Sequence, residues 1–181
     1  MQIIDTTIPD VKILKPKKFG DERGYFMEIF RHSWFQDNVA QVNFVQDNQS
    51  SSTHGTLRGL HYQINQPQGK LVSVLRGEVF DVAVDLRKSS ATFGHWFGAL
   101  LSSENQRQMW VPPGFAHGFY VTSDIAEFTY KCTDYYAPEY ERSLIWNDDT
   151  LAIDWPTDGK EPTLSDKDKL AKTFKECDTF S

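Results

Sequence analysis

The stretch Glu78-Val79-Phe80-Asp81-Val82-Ala83-Val84-Asp85-Leu86 sets Phe80, Val82, Val84 and Leu86 in alternation with Asp81, Ala83 and Asp85. A period of two belongs to a β-strand, whose successive side chains point to opposite faces. Working outward, β-rich runs cover residues 24–30, 42–48, 56–63, 70–76, 96–101, 108–111, 119–122 and 126–133, with Gly69, Gly77 and Pro112-Pro113-Gly114 as breakers between them. Short strands at close spacing with turn signals predict a sandwich or barrel. A parallel sheet would need helical patterns of about 10–15 residues between strands, and residues 60–133 contain none. Helices are expected only at the margins. One spans residues 33–40 behind a Ser cap, and one follows Ser165-Asp166-Lys167-Asp168, which has capping-box form with Asp168 at the third helical position. The reading is mainly β with a few short peripheral helices, and without repeats or linkers it predicts a single domain over residues 1–181.

Composition bounds the function. The 181 residues carry a formal net charge of −6, which argues against a nucleic-acid polymer as partner, since that affinity rests on Lys and Arg neutralising phosphates. The 13 Phe, 7 Tyr and 5 Trp supply too much packing material for a disordered chain. Cys132 and Cys177 are too few and too far apart for a secreted disulfide framework. The N-terminus has neither a basic nor an apolar leader segment. The most apolar run, around residues 96–101, is far short of the ~20 residues of a membrane span. The chain reads as soluble and cytoplasmic, with no membrane partner.

Two glycine-flanked histidines carry the first chemical signal. They lie in Gly55-Thr56-Leu57-Arg58-Gly59-Leu60-His61-Tyr62-Gln63 and in Pro112-Pro113-Gly114-Phe115-Ala116-His117. Taken singly, each reads as a histidine that happens to lie on a strand. Together, among short strands, they resemble the two signature motifs of the cupin superfamily and imply a cupin-type jelly-roll barrel. Gln63 occupies the position of the second histidine in the first motif, and Pro67 or Gln68 that of the expected glutamate. Two imidazoles without a carboxylate make a poor transition-metal site. The expectation is therefore no metal and no cofactor, with chemistry done by organic acids and bases.

The segments Gly20-Asp21-Glu22-Arg23-Gly24, Phe44-Val45-Gln46-Asp47-Asn48, Leu57-Arg58-Gly59-Leu60-His61, Gly69-Lys70-Leu71-Val72, Gly77 to Asp85, Pro113-Gly114-Phe115-Ala116-His117-Gly118-Phe119, Tyr130-Lys131 and Tyr135-Tyr136 occur in one order. Together they resemble the dTDP-4-dehydrorhamnose 3,5-epimerase family of rhamnose biosynthesis, from about residue 8 to residue 168. The resemblance implies inversion of two carbons flanking a ketone in a dTDP-bound sugar. Such a reaction needs a base, an acid on the other face and a cation or donor at the enolate oxygen. It implies His61 as base with Asp168 as its partner, Tyr130 as acid and Lys70 at the keto oxygen. It also implies Arg58 and Arg23 on the diphosphate with His117 toward the same anion. Gln46, Asp47, Asn48 and Glu28 would meet thymine and sugar hydroxyls, Tyr136 would stack on the base, and Glu141 and Lys167 would contact substrate. The family's N-terminal segment crosses to a neighbouring subunit, so Arg23 and Glu28 are expected to complete the partner's site in a homodimer.

Local patterns alone leave other readings open. Asp168 reads first as a helix cap, Lys70 as a surface lysine, and Tyr130 as an ordinary strand aromatic. A single-carbon epimerase or ketoisomerase would share most of these residues. A non-enzymatic sugar-binding cupin would keep Arg58 and the aromatics without needing His61, Lys70, Tyr130 and Asp168 together. Charge placement allows a phosphorylated ligand: residues 134–161 hold eight acids and two bases, so the remainder of the chain is formally neutral. Arg23, Arg58 and Lys70 are then free to make a locally positive pocket.

Overall fold

A computed structural model describes residues 1–181. In chain order the elements are β1 (Gln2–Asp5), β2 (Lys12–Lys15), β3 (Lys18–Asp21), β4 (Gly24–Met27), α1 (His32–Asn38), β5 (Gln46–Thr53), β6 (Leu57–Gln63) and β7 (Lys70–Arg76). They continue with β8 (Glu78–Asp85), β9 (Trp96–Ser102), β10 (Gln108–Val111), β11 (Phe115–Val121), β12 (Ile125–Cys132), β13 (Glu141–Ser143) and α2 (Asp166–Lys169). Six strands form one sheet in the order β1-β2-β10-β7-β12-β5, five form another in the order β13-β6-β11-β8-β9, and β3-β4 is a separate hairpin. All pairings in the named strands are antiparallel. The two large sheets face each other across a core that joins Val72, Val74, Met109 and Phe128 of one to Val79, Ala83, Leu101 and Phe119 of the other. This is the mainly β, cupin-like barrel that the motifs imply.

The alternation in β8 marks a strand, but its apolar side faces away from the barrel. Phe80, Val82, Val84 and Leu86 pack outward against Leu144, Leu151, Trp155 and their neighbours, a C-terminal cover over the outer face of the five-stranded sheet. Asp81 and Asp85 are turned inward or toward the barrel's end and are wholly buried. Burial of charge on this scale requires partners. Asp85 takes a bidentate contact from Arg87 and a hydroxyl from Thr92. Asp81 takes an imidazole.

Several boundaries differ from expectation. The strand expected over residues 42–48 is β5, which starts at Gln46 and runs on to Thr53. No apolar residue lies in it, because its inward face (Gln46, Asn48, Ser50, Ser52) borders a polar cavity and its other face is exposed. The strand expected over residues 119–122 begins at Phe115. The helix expected over residues 33–40 begins at His32, with Arg31 rather than a serine at its cap and no side-chain cap bond. Phe35 holds it instead, packed edge-on against Phe44 and Trp110 over the outer face of the six-stranded sheet. The second helix matches its capping signal, with Ser165 accepting from the Asp168 N–H.

Candidate active site

The two histidine motifs meet on neighbouring strands. In the β6–β11 pairing, His61 stands opposite His117, and a register shift follows between His117 and Phe119. Two glycines permit the approach at that irregularity. A Cβ on Gly59, whose φ is +131°, would lie 2.5 Å from the Gly118 Cα. A Cβ on Gly118 would lie 2.6 Å from the Arg58 carbonyl oxygen. A side chain at either position would push the strands apart and separate the histidines.

Each histidine is tied to a carboxylate through Nε2. His61 Nε2 lies 2.5 Å from Asp168 Oδ1, while the other Asp168 oxygen accepts the Ser165 hydroxyl at 2.8 Å. Asp168 thus serves at once as helix cap and as imidazole partner. Burial raises the Asp168 carboxyl, but the bonds from His61 and Ser165 and the nearby Lys167 charge outweigh it and hold the group below its usual range. An ionised carboxylate at Nε2 keeps the proton on that nitrogen and leaves His61 Nδ1 as the basic one. His117 Nε2 meets both oxygens of Asp81, at 2.9 and 3.0 Å. Burial dominates there, raising the Asp81 carboxyl and lowering the His117 imidazole against their mutual attraction.

Lys70 and Tyr130 face these histidines from the six-stranded sheet, on β7 and β12. Lys70 enters none of the molecule's ion pairs. Desolvation lowers its ammonium against the attraction of Cys132, Asp81 and Glu141. Burial likewise raises the Tyr130 phenol. A cavity of about 570 Å³ brings together Arg58, His61, Lys70, His117, Tyr130, Lys167 and Asp168, with Ser50, Phe119 and Phe128 in its wall. Arg58 donates from Nε to Ser52 Oγ at 2.9 Å. Beyond His61, Lys70 and Tyr130, a second chamber of about 80 Å³ is lined by Gln63, Tyr136, Glu141 and Phe180 among others. Glu141 bridges the two spaces, accepting from Lys167 Nζ at 2.8 Å and from the Tyr136 hydroxyl at 3.1 Å.

Other expected residues sit at the margin or elsewhere. Gln46 and Asn48 face inward on β5; Gln46 Oε1 accepts the Tyr136 N–H, and the Asn48 amide reaches Cys132 Sγ. Asp47 does not join them. It lies on the opposite face of β5, paired with Lys131 at 3.0 Å, because adjacent strand residues cannot share a face. Arg23 and Glu28 do not reach the cavity of their own chain; Arg23 pairs with Asp21 and Glu28 with Arg31. Gln63 ties loop backbone, donating to the Gln66 and Tyr135 carbonyls and accepting the Ala137 N–H. Gln68 donates to the Asp134 carbonyl. Asp81 was not a site candidate in the sequence, because period-two alternation alone puts it on a polar face; its burial follows from the apolar cover on the other side of β8. Ser50, Phe119 and Phe128 gave no signal.

Two facing antiparallel sheets, with a histidine–carboxylate dyad in one wall and a lysine and tyrosine in the other, define a cupin-like barrel equipped for proton transfer. The family model for dTDP-4-dehydrorhamnose 3,5-epimerase matches residues 5–176, and the chain belongs to that family. A relative of that name from Pseudomonas aeruginosa is 55% identical over 99% of both chains. Another from Neisseria gonorrhoeae is 58% identical over 98% of this chain, which spans only 54% of that relative's length. Among solved structures, a 3,5-epimerase from Legionella pneumophila in complex with dTDP-4-keto-L-rhamnose is 57% identical, with a TM-score of 0.95 over 98% of this chain and 94% of that one.

Proposed function

We propose that this chain, acting as one epimerase domain, converts dTDP-4-dehydro-6-deoxy-D-glucose into dTDP-4-dehydro-L-rhamnose by inverting C3 and C5. The observation that carries the reading is the His61–Asp168 dyad set across one cavity from Lys70 and Tyr130, in a member of this family. His61 Nδ1 takes the proton beside the C4 ketone. The C–H electron pair becomes the C=C bond, and the carbonyl pair moves onto oxygen. Lys70, a half-buried cation without an ion-pair partner, gains one as that oxygen becomes negative. Tyr130 returns a proton from the opposite wall, the enolate collapses to the ketone, and the carbon is inverted. Proton exchange with solvent then restores neutral His61 and the phenol. Repetition at the other carbon completes the reaction.

Arg58 is the diphosphate partner from this chain, with His117 toward the same anion, and Gln46, Asn48, Tyr136, Glu141 and Lys167 receive the nucleoside and sugar. The hairpin β3–β4 belongs to neither large sheet and leaves Phe19 54%, Tyr25 55% and Phe26 71% exposed. Exposed aromatics on a projecting element support a protein contact. The hairpin carries Arg23, with Glu28 just after it, into the partner's site of a homodimer. A cytoplasmic location is supported by the two free thiols, and no helix is long and apolar enough to cross a membrane. Incubation with dTDP-4-dehydro-6-deoxy-D-glucose, followed by NMR assignment of the product, tests the reading. Inversion at both carbons is expected; inversion at one identifies a single-carbon epimerase, and unchanged sugar overturns the proposal.

A further inference from the structure

The segment 177–181 lies beyond the residues that the family model matches, yet it is tied firmly to the barrel. The Phe180 N–H donates to the Leu86 carbonyl at 2.9 Å, and the Lys88 N–H donates to the Phe180 carbonyl at 2.8 Å. The Tyr62 hydroxyl donates to the Asp178 carbonyl at 2.7 Å, and Arg142 Nε donates to the Asp178 carboxylate at 2.7 Å. The Phe180 ring meets the Tyr62 ring with centroids 6.0 Å apart. A Cβ built on Gly114 would already be in contact with that ring, at 3.8 Å.

These anchors set Phe180 against the smaller chamber, whose other wall is His61, Lys70 and Tyr130. The larger cavity adjoins Thr56, Leu57 and Arg58 at the start of β6, whereas the chamber adjoins Gln63 at its end. The ring, packed with Tyr62 in the cover on the outer face of the five-stranded sheet, therefore reaches the chamber from the rim at that end of the barrel. We propose that Phe180 is a positioning residue that plugs this end, keeping bulk water from the side of the site where Tyr130 and Lys70 act. Water at that end would reach the enolate from the same face as Tyr130 and donate in its place, so turnover would depend less on the Tyr130 phenol. This consequence rests on the epimerase reading; the plug itself does not.

The test uses the full chain with Phe180→Ala and the bulk-preserving Phe180→Leu. The Tyr130 phenol is titrated by NMR of its ring carbon, with Arg58, Lys70, His61, Glu141, Tyr136 and Cys132 unchanged around it. Hydration of the chamber should lower the Tyr130 midpoint by about one pH unit in Phe180→Ala, with Phe180→Leu between that value and the parent. The loss of kcat on Tyr130→Phe should be about threefold or more smaller in the Phe180→Ala background than in the parent, with an intermediate loss in the Phe180→Leu background. A Tyr130 midpoint unchanged in Phe180→Ala overturns the plug, even if thermal stability falls. Should that variant fail to fold, Phe180→Leu decides alone, its midpoint lying between those of parent and free tyrosine or contradicting the proposal. A lowered midpoint with an undiminished cost of Tyr130→Phe overturns the role in the reaction. If the parent fails to epimerise, the functional reading falls while the titration still decides the plug.

Discussion

Asp168 joins two jobs in one carboxylate, and a change there should separate them. Asp168→Asn keeps the shape but removes the charge that holds His61 in its basic tautomer. Loss of that effect should lower kcat by about 10²–10⁴-fold, the usual worth of a positioned base, while dTDP affinity by calorimetry stays within about threefold of the parent. The pH behaviour has a definite sign. The Asp168 carboxyl is held below its ordinary value, so its stabilisation is present above an unfolded pKa of about 3.9 and is lost as pH falls through the lower folded value. Acid unfolding followed by circular dichroism should therefore depend less steeply on pH in Asp168→Asn. An equally steep acid limb would contradict the assignment. The local sequence left Asp168 open between cap and partner; the structure holds both, because its two oxygens take different donors.

At the scale of elements, the glycines that let β6 and β11 approach are as consequential as the histidines they bring together. Gly59→Ala forces a Cβ to 2.5 Å from Gly118 and a side chain onto a φ of +131°. It should destabilise the fold by at least about 2 kcal/mol in denaturant titrations, and a smaller loss would mean that the strands part without strain. Ser165→Ala should cost about 1 kcal/mol as a lost cap, with a kcat loss larger than that if the cap also orients Asp168. Strands whose two faces differ in polarity, or that are wholly apolar, were legible: β7 and β10 fall where their runs of Val, Leu, Met and Trp predict. Gln46–Asn48 of β5 were inside an expected run, but Gln49–Thr53 were not, because a strand lining a wet cavity carries no hydrophobic signature. β1, β2, β3 and β13 are only three or four residues each, too short for a period to register. The orientation of β8 was hidden for another reason. Alternation gives two faces, but which one is the barrel interior depends on the cover supplied by residues after Leu144.

For the whole molecule, the negative charge concentrated in residues 134–161 leaves the site its cations, and the site's assignments divide by what one chain contains. His61, Lys70, Tyr130 and Asp168 come from four different elements, and the geometry that gathers them was legible only through family resemblance; no local pattern encodes it. Arg23 and Glu28, which the resemblance also implied, stand outside the cavity of their own chain. If the hairpin serves a partner, Arg23→Ala and His61→Ala chains should each be nearly inactive alone. Mixed under conditions that exchange subunits, they should regain activity, because one site of the heterodimer combines an intact body with an intact hairpin. Activity no greater than the sum of the two variants would assign the hairpin to its own chain. The central claim is that His61 removes the protons at C3 and C5, and the most direct measurement is position-resolved deuterium uptake by the sugar in heavy water, parent beside His61→Ala. Deuterium at both carbons with the parent and at neither with His61→Ala, at dTDP affinity within about threefold, is the predicted result; protium retained at both carbons by the parent, or undiminished exchange by His61→Ala, would contradict it.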